Sequence, residues 1–142
     1  MRLRVVFLDG LIVPLWAFVA FINLGIFGFN ILLVCLGVVF GLVFGAAVAL
    51  KQISSIEENG EFKATLKTWA LALLAIIILI SMVYFLFSLG LEVRIQMLSL
   101  LYPFIPAPFA ARIILYLNWE RKHKRRILSD GLVFTRVYAV SN

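Results

Sequence analysis

A stretch of forty residues without a charged side chain, from Leu11 to Leu50, constrains this chain more than any other feature. As one helix it would be about 60 Å long, twice the roughly 30 Å hydrocarbon core of a bilayer. The chain must therefore reverse once within it. Asn23 and Asn30, with two glycines between them, are residues that favour turns. We predict one helix over residues 5–24 and a second over residues 29–50.

Two further apolar segments follow, from Trp69 to Leu91 and from Met97 to Leu117. Each has about 20 residues, enough to span a bilayer once. The chain is 64% apolar and 14% charged, against about 45–50% and about 25% in soluble domains. We predict an all-α integral membrane protein, a four-transmembrane-helix bundle with helices at 5–24, 29–50, 67–91 and 96–118. Residues 1–118 would form the transmembrane domain and residues 119–142 a basic cytoplasmic tail.

The basic residues lie almost entirely on one side of this arrangement. Twelve Lys and Arg residues belong to the N-terminus, the connection at 51–68, the tail and the adjoining helix ends, and Arg94 alone lies opposite. Segments rich in Lys and Arg remain in the cytoplasm. We therefore predict a multi-pass protein of the cell membrane with both termini cytoplasmic, a 51–68 connection that turns at Asn59–Gly60, and a basic face that attracts anionic lipid headgroups. Nucleic acid is not an expected partner, because no aromatic stacking platform is interleaved with these cations.

The residue types needed for catalysis or metal binding are not grouped in this sequence. The single histidine, His123, and the single cysteine, Cys35, lie in different segments, which does not fit a metal site of the usual kind. No nucleophile elbow, zinc-protease motif or glycine-rich phosphate loop is present. We therefore expect neither an enzyme nor a cofactor.

Small residues recur every four positions in the second predicted helix, at Gly37, Gly41, Gly45 and Ala49. This spacing places them on one face, where another helix backbone is able to approach closely. The pattern predicts tight helix packing. It leaves open whether the partner is a helix of this chain, a second copy or another protein.

Asp9 and Arg112 lie at similar depth on the cytoplasmic side of the first and fourth predicted helices. Ionisable residues within a span are costly, so they pair with each other or serve a function. We predict an ion pair that joins the two helices. The alternative is that each side chain reaches the interface on its own.

Three prolines interrupt the fourth predicted helix, at Pro103, Pro106 and Pro108. Proline removes a backbone donor and clashes with the preceding turn, so we predict a kinked, partly unwound or re-entrant segment. Transporters place substrate sites at such breaks. A structural kink is the favoured interpretation, because no charged or amide side chain accompanies the prolines.

The tail divides into a charged helical extension at 119–126, a turn at 129–131 and a single β-strand at 132–140, rich in β-branched and aromatic residues. A lone strand exposes its edges to any pairing partner. A hairpin with the preceding Lys-Arg run is possible, although isolated hairpins are only marginally stable. We predict strand addition to a cytoplasmic protein or to the tail of another copy, through a partner-binding segment that contains Phe134, Arg136 and Tyr138.

These features favour a non-enzymatic membrane subunit that assembles through helix packing and its tail into a homo-oligomer or a larger membrane complex. The alternative is a small oligomeric channel or transporter with a path near the proline segment. A pore needs polar lining, and the polar residues near or within the spans are few: Asn23, Asn30, Ser81, Ser88 and Ser99.

Overall fold

The computed structural model describes residues 2–65, 90–130 and 136–141, and some of the positions between 70 and 88. The elements in chain order are β1 (Arg2–Arg4), α1 (Val5–Phe27), α2 (Ile31–Asn59), β2 (Glu61–Lys63), α3 (Leu91–Phe104), α4 (Ala107–His123), β3 (Arg125–Asp130) and β4 (Arg136–Ser141). The protein is mostly helical, with one small sheet.

Three helices in the described part of the chain are long and apolar enough to cross a membrane: α1, α2, and a bent helix formed by α3 and α4 together. The predicted number of four membrane-spanning helices is therefore not found among the described residues, because α3 and α4 together form one span. The helix predicted over 67–91 lies largely outside them.

The turn between α1 and α2 is shorter than the sequence predicted. Asn23 belongs to α1, where its side-chain amide donates to the carbonyl oxygen of Val19 at 2.8 Å, so α1 continues to Phe27. Gly28 has a φ of 84°, which glycine adopts readily. Asn30 is the N-cap of α2, and its Oδ1 accepts from the second and third backbone N–H groups of that helix.

α2 ends at Asn59 rather than at residue 50. Its last turns bury Ile53 and Ile56 in the core. The predicted turn at Asn59–Gly60 is confirmed. Gly60 has a φ of 75° and donates its N–H to the carbonyl oxygen of Ile56 at 2.9 Å, a common way for a helix to end.

The four strands form one antiparallel sheet in the order β1-β3-β4-β2. Leu3 and Val137 lie opposite Ser129 in the two neighbouring strands, and Phe62 lies opposite Val137. The sheet therefore joins the N-terminus, the chain after α2 and the tail at one end of the helices. The core between sheet and helices contains Val5, Ala49, Ile53, Ile56, Tyr116, Trp119, Ile127 and Val137.

The predicted strand addition to another protein or another copy is wrong for this strand, and the alternative of a hairpin with the preceding Lys-Arg run is confirmed, because β3 pairs with β4. β4 lies between β3 and β2, so both of its edges are paired. β3 consists of residues assigned from the sequence to the end of a helix and to a turn. Lys124, at a φ of 52°, turns the chain from α4 directly into β3. The fully buried Ile127 and Ser129 explain the strand, since an extended segment places both on the inner face.

The proline segment forms a bend. α3 ends at Phe104 and α4 begins at Ala107, and the two residues between them, Ile105 and Pro106, form a turn with helical dihedral angles. Pro106 is the N-cap residue of α4, and Pro108 lies in its first turn, where a missing N–H breaks no helical hydrogen bond. Pro103 lies in the last turn of α3.

The face of small residues on α2 packs against this bend. A Cβ atom on Gly41 would lie 2.7 Å from Cβ of Ala107, and one on Gly37 or Gly45 would lie still closer to backbone atoms of Leu100 or Pro108. Real Cβ atoms essentially never approach within 3.0 Å, so only glycine allows these contacts. Ala49, fully buried, continues this face into the core. In the described residues, the helix that approaches the glycines is one of this chain.

We expect Gly45→Ala to destabilise the protein by about 1–3 kcal/mol, because its Cβ would meet the backbone of Pro108. Gly25→Ala in α1 is the matched control, with nothing within 4 Å of the added carbon. It should be neutral or stabilising by up to about 1 kcal/mol, since alanine favours the helix. Thermal unfolding in detergent measures both. Equal unfolding temperatures would contradict the tight contact at Gly45.

Candidate functional site

One face of α4 carries polar and aromatic side chains that contact every neighbouring element at the sheet end of the bundle. Spacings of three and four residues place them on successive turns of the same face. We call their contacts the polar ladder. Its residues on α4 are Arg112, Tyr116, Trp119, Glu120 and His123.

The first contact of the polar ladder joins α4 to α1. Arg112 donates from Nε to Oδ2 of Asp9 at 2.6 Å and from Nη2 to Oδ1. Asp9 is fully buried and Arg112 is 9% exposed. The structure thus brings together the two residues that the sequence predicted to pair. A bidentate pair between guanidinium and carboxylate is among the stronger polar contacts in proteins.

The second contact joins α4 to α2. The hydroxyl of Tyr116, which is fully buried, donates to Oε1 of Gln52. Sequence reasoning missed it, because Gln52 was assigned to a connection rather than to α2. The available signal was the spacing of Arg112 and Tyr116, four residues apart on one helical face.

The third contact lies near the end of both helices. Trp119 donates from Nε1 to Oε1 of Glu57 at 2.7 Å. The ring of His123 stacks on Trp119 with centroids 4.4 Å apart, and its Nε2 lies 3.7 Å from the same glutamate oxygen. Trp119 is buried in the core, and His123 contacts both Trp119 and Glu57.

The fourth contact ties α4 to the sheet. Glu120 is buried, and one of its oxygens accepts from the guanidinium of Arg4 in β1. The other accepts the backbone N–H of Ile127 in β3 at 2.8 Å. The hydrogen bond with Glu120 raises the pKa of Arg4, so this guanidinium keeps its charge.

A separate charge cluster lies where β2 pairs with β4. Glu61 accepts from Nε of Arg136, and Lys63 Nζ lies 2.7 Å from its other oxygen. Lys63 and Arg136 together lower the pKa of Glu61. The guanidinium carbon of Arg136 also lies 5.7 Å from the ring centroid of Tyr138. Of the predicted partner-binding residues, these two contact their own chain and Phe134 lies outside the described residues.

The polar ladder is an arrangement of groups that satisfy one another. Within the described ranges, no cluster of three His, Cys, Asp or Glu residues is placed to hold a metal ion. A cavity between α2 and α3 has about 600 Å³ and an apolar lining. We call it the α2–α3 hollow. Its lining residues are Phe40, Val43, Phe44, Ala47, Leu100, Leu101 and Phe104.

We expect energetic coupling between Asp9 and Arg112. Asp9→Asn or Arg112→Gln leaves a buried charge without its partner, at a cost of roughly 3–5 kcal/mol each. The double variant should cost less than the sum of the two, by roughly 0.5–3 kcal/mol. Unfolding in detergent measures all three.

Glu58→Gln combined with Arg112→Gln is the control for this cycle. Glu58 is exposed and accepts from the hydroxyl of Ser54, so its effect should add to that of Arg112→Gln. If the cost of the Asp9→Asn/Arg112→Gln double variant also equals the sum of the two single costs, the two groups do not stabilise each other.

Compared with models of protein families, with curated proteins and with solved structures, the chain matches none of them. The features of its own geometry that bear on its function are therefore four. That geometry comprises the polar ladder, the backbone contact between α2 and the proline bend, the apolar hollow beside the bend, and the sheet that joins both ends of the chain.

Proposed function

We propose that this chain is a non-enzymatic subunit of the cell membrane that crosses the bilayer four times. Both of its termini lie in the cytoplasm, and it assembles with a second copy or with another membrane protein. The crossings, the orientation and the assembly rest on different observations.

The directions of the helices support four crossings. α2 runs parallel to the bent helix, because Gly37 packs on Leu100 and Gly45 packs on Pro108. The end of α2 therefore lies beside the sheet, while α3 begins at the opposite end, where the N–H of Asn30 donates to Oγ of Ser99 at 2.9 Å. Two consecutive parallel helices require the chain to return along the bundle between them. The apolar segment predicted over 67–91 falls in this interval.

The sheet supports the orientation. Its strands come from the N-terminus, from the chain after α2 and from the tail, so these three segments lie at one end of the helices. They are the segments in which the sequence concentrates Lys and Arg. By the positive-inside rule this end faces the cytoplasm.

Cysteine labelling tests both points. In a Cys35→Ala background, Asn59→Cys and Ser141→Cys should react only after the cytoplasmic side is opened, because both positions lie at the sheet end. Glu92→Cys, at the start of α3, should react in intact cells. Labelling of Ser141→Cys from outside would contradict the proposed orientation.

The observation that carries the subunit assignment is the α2–α3 hollow. It lies between two apolar helices, and the rings of Phe44 and Phe104 form part of its wall with centroids 6.4 Å apart. Helices associate in lipid through close van der Waals packing, which an apolar groove of this kind provides. Its proposed occupant is a transmembrane helix of the neighbouring subunit.

The tail contributes through the outer face of the sheet. Val137 is fully buried, so its neighbours Arg136 and Tyr138 lie on the opposite face of β4. Strand addition at β4 has no edge to use, and β1 and β2 are short edge strands with charged residues, which disfavours pairing there. We propose that a partner meets this face by side-chain contacts.

The polar residues near or within the described helices favour a subunit over a channel. Asn30 caps α2, Asn23 bonds within α1, and Ser99 both accepts from Asn30 and donates to the carbonyl oxygen of Ile95. A path for ions or polar solutes needs polar groups facing it. These three side chains bind backbone groups instead, and the α2–α3 hollow is apolar.

Filling the α2–α3 hollow tests the assembly. Ala47→Trp should expel the partner helix, because Ala47 lines the hollow and its side chain is exposed within this chain. Leu50→Trp adds bulk to another exposed position of α2 outside the hollow and is the control. Both are expressed at native level, extracted in mild detergent, and compared with wild type for size and co-purifying proteins.

We expect wild type and Leu50→Trp to migrate as the same assembly and Ala47→Trp to lose it. If Ala47→Trp keeps both the size and the co-purifying proteins of wild type, the α2–α3 hollow is not the subunit interface. A wild-type protein that is monomeric and copurifies with no other protein would contradict the subunit proposal as a whole.

A further inference from the structure

A second cavity lies at the sheet end, where α4 turns into β3 beside β1. It has about 700 Å³, and five basic residues line it: Arg4, Arg121, Lys124, Arg125 and Arg126. We call it the basic hollow. These residues come from three different elements, which meet here because β1 pairs with β3 directly after α4 ends.

The backbone holds these cations in place. Lys124, at a φ of 52°, is the one residue between α4 and β3, so the last turn of the helix and the first residues of the strand face the same space. Glu120, which also lines the basic hollow, is buried and binds Arg4 as well as the N–H of Ile127. Arg4 is thereby positioned, although its charge is balanced.

The remaining four cations of the basic hollow exceed the negative charge around them. Among the described residues that line it, Glu120 is the one carboxylate, and Arg4 already pairs with it. Arg121, Lys124, Arg125 and Arg126 are all exposed. Like charges gathered in one concave surface attract an anion, and guanidinium groups match phosphate oxygens with two parallel hydrogen bonds.

The position of the basic hollow selects a lipid among anions. Leu117 also lines the hollow and lies one turn before Arg121 in α4, so an apolar side chain lies on the helix side of the basic ones. A phospholipid has the same order, with acyl chains on one side of a phosphate. A soluble phosphate would use the basic end alone.

We propose that the basic hollow binds the headgroup phosphate of an anionic phospholipid, with the glycerol backbone of that lipid beside Leu117. This site rests on the proposed function only in requiring that the sheet end lies at a membrane surface. It is more specific than a general attraction between a basic face and anionic lipids, because it depends on particular cations.

The test uses purified full-length protein in detergent, with dioctanoyl phosphatidylglycerol as the probe and dioctanoyl phosphatidylcholine and glycerol 1-phosphate as comparisons. Affinity is read from the rise in unfolding temperature with added ligand and from lipid adducts in native mass spectrometry. Arg121→Gln/Arg125→Gln removes two cations of the basic hollow. Lys51→Gln/Lys122→Gln removes two exposed cations that do not line it.

We expect phosphatidylglycerol to stabilise wild type and the Lys51→Gln/Lys122→Gln control equally. The Arg121→Gln/Arg125→Gln variant should lose about fivefold in affinity for each cation removed, since one basic residue near an anionic surface contributes about 1 kcal/mol. Lys124→Gly is a further variant that preserves the fold, because glycine readily adopts the left-handed φ at this position. Its affinity for phosphatidylglycerol should fall about fivefold, while its unfolding temperature without lipid should not be lower than that of wild type.

Equal losses of lipid affinity in the two double variants would overturn the site. The attraction for the anionic lipid would then come from the basic surface as a whole. Stabilisation by glycerol 1-phosphate at the same concentration as the lipid would overturn the lipid assignment. The measurement needs no partner protein. A negative result here is therefore separate from a negative result at the α2–α3 hollow.

Discussion

Polar groups are expensive in hydrocarbon unless they are paired, and this cost shapes the sheet end of the molecule. Asp9 and Arg112 are buried where neither carries its charge cheaply alone, and the bidentate contact sets α1 against α4. From there the polar ladder continues through Tyr116 and Trp119, which both tie α4 to α2, to Glu120, which ties it to the sheet. α4 is thus the element to which the other helices and the sheet are joined.

That arrangement depends on the close approach of α2 to the bent helix. Three glycines remove the side chains that would keep the backbones apart, and the proline bend supplies the surface that enters the space. The contact sets the distance at which Gln52 reaches Tyr116 further along the same pair of helices. Backbone packing and polar pairing are therefore successive parts of one interface.

Much of the membrane part was predictable, because its signals are local. Apolar length, the glycine spacing and the prolines each act through neighbouring residues, and α1, α2 and the bend are found where these signals lie. The pairing of Asp9 with Arg112 followed from depth alone. Gln52, Glu57 and Glu120 were missed as partners, because their roles depend on which distant residue faces them, and a residue's own neighbours in sequence do not specify that.

By itself, the sequence determined that the chain is helical, rich in lipid-compatible segments and basic at one end, since composition and periodicity act residue by residue. Only the tertiary structure decided that residues 125–130 are a strand and that the tail strand finds its partners in the same chain. Residues 125–130 begin with basic side chains of the kind that is typical of a helix end. Burial of Ile127 and pairing with residues 2–4 and 136–141 outweigh that local tendency, because hydrogen bonds between distant segments exist only once the helices have brought those segments together.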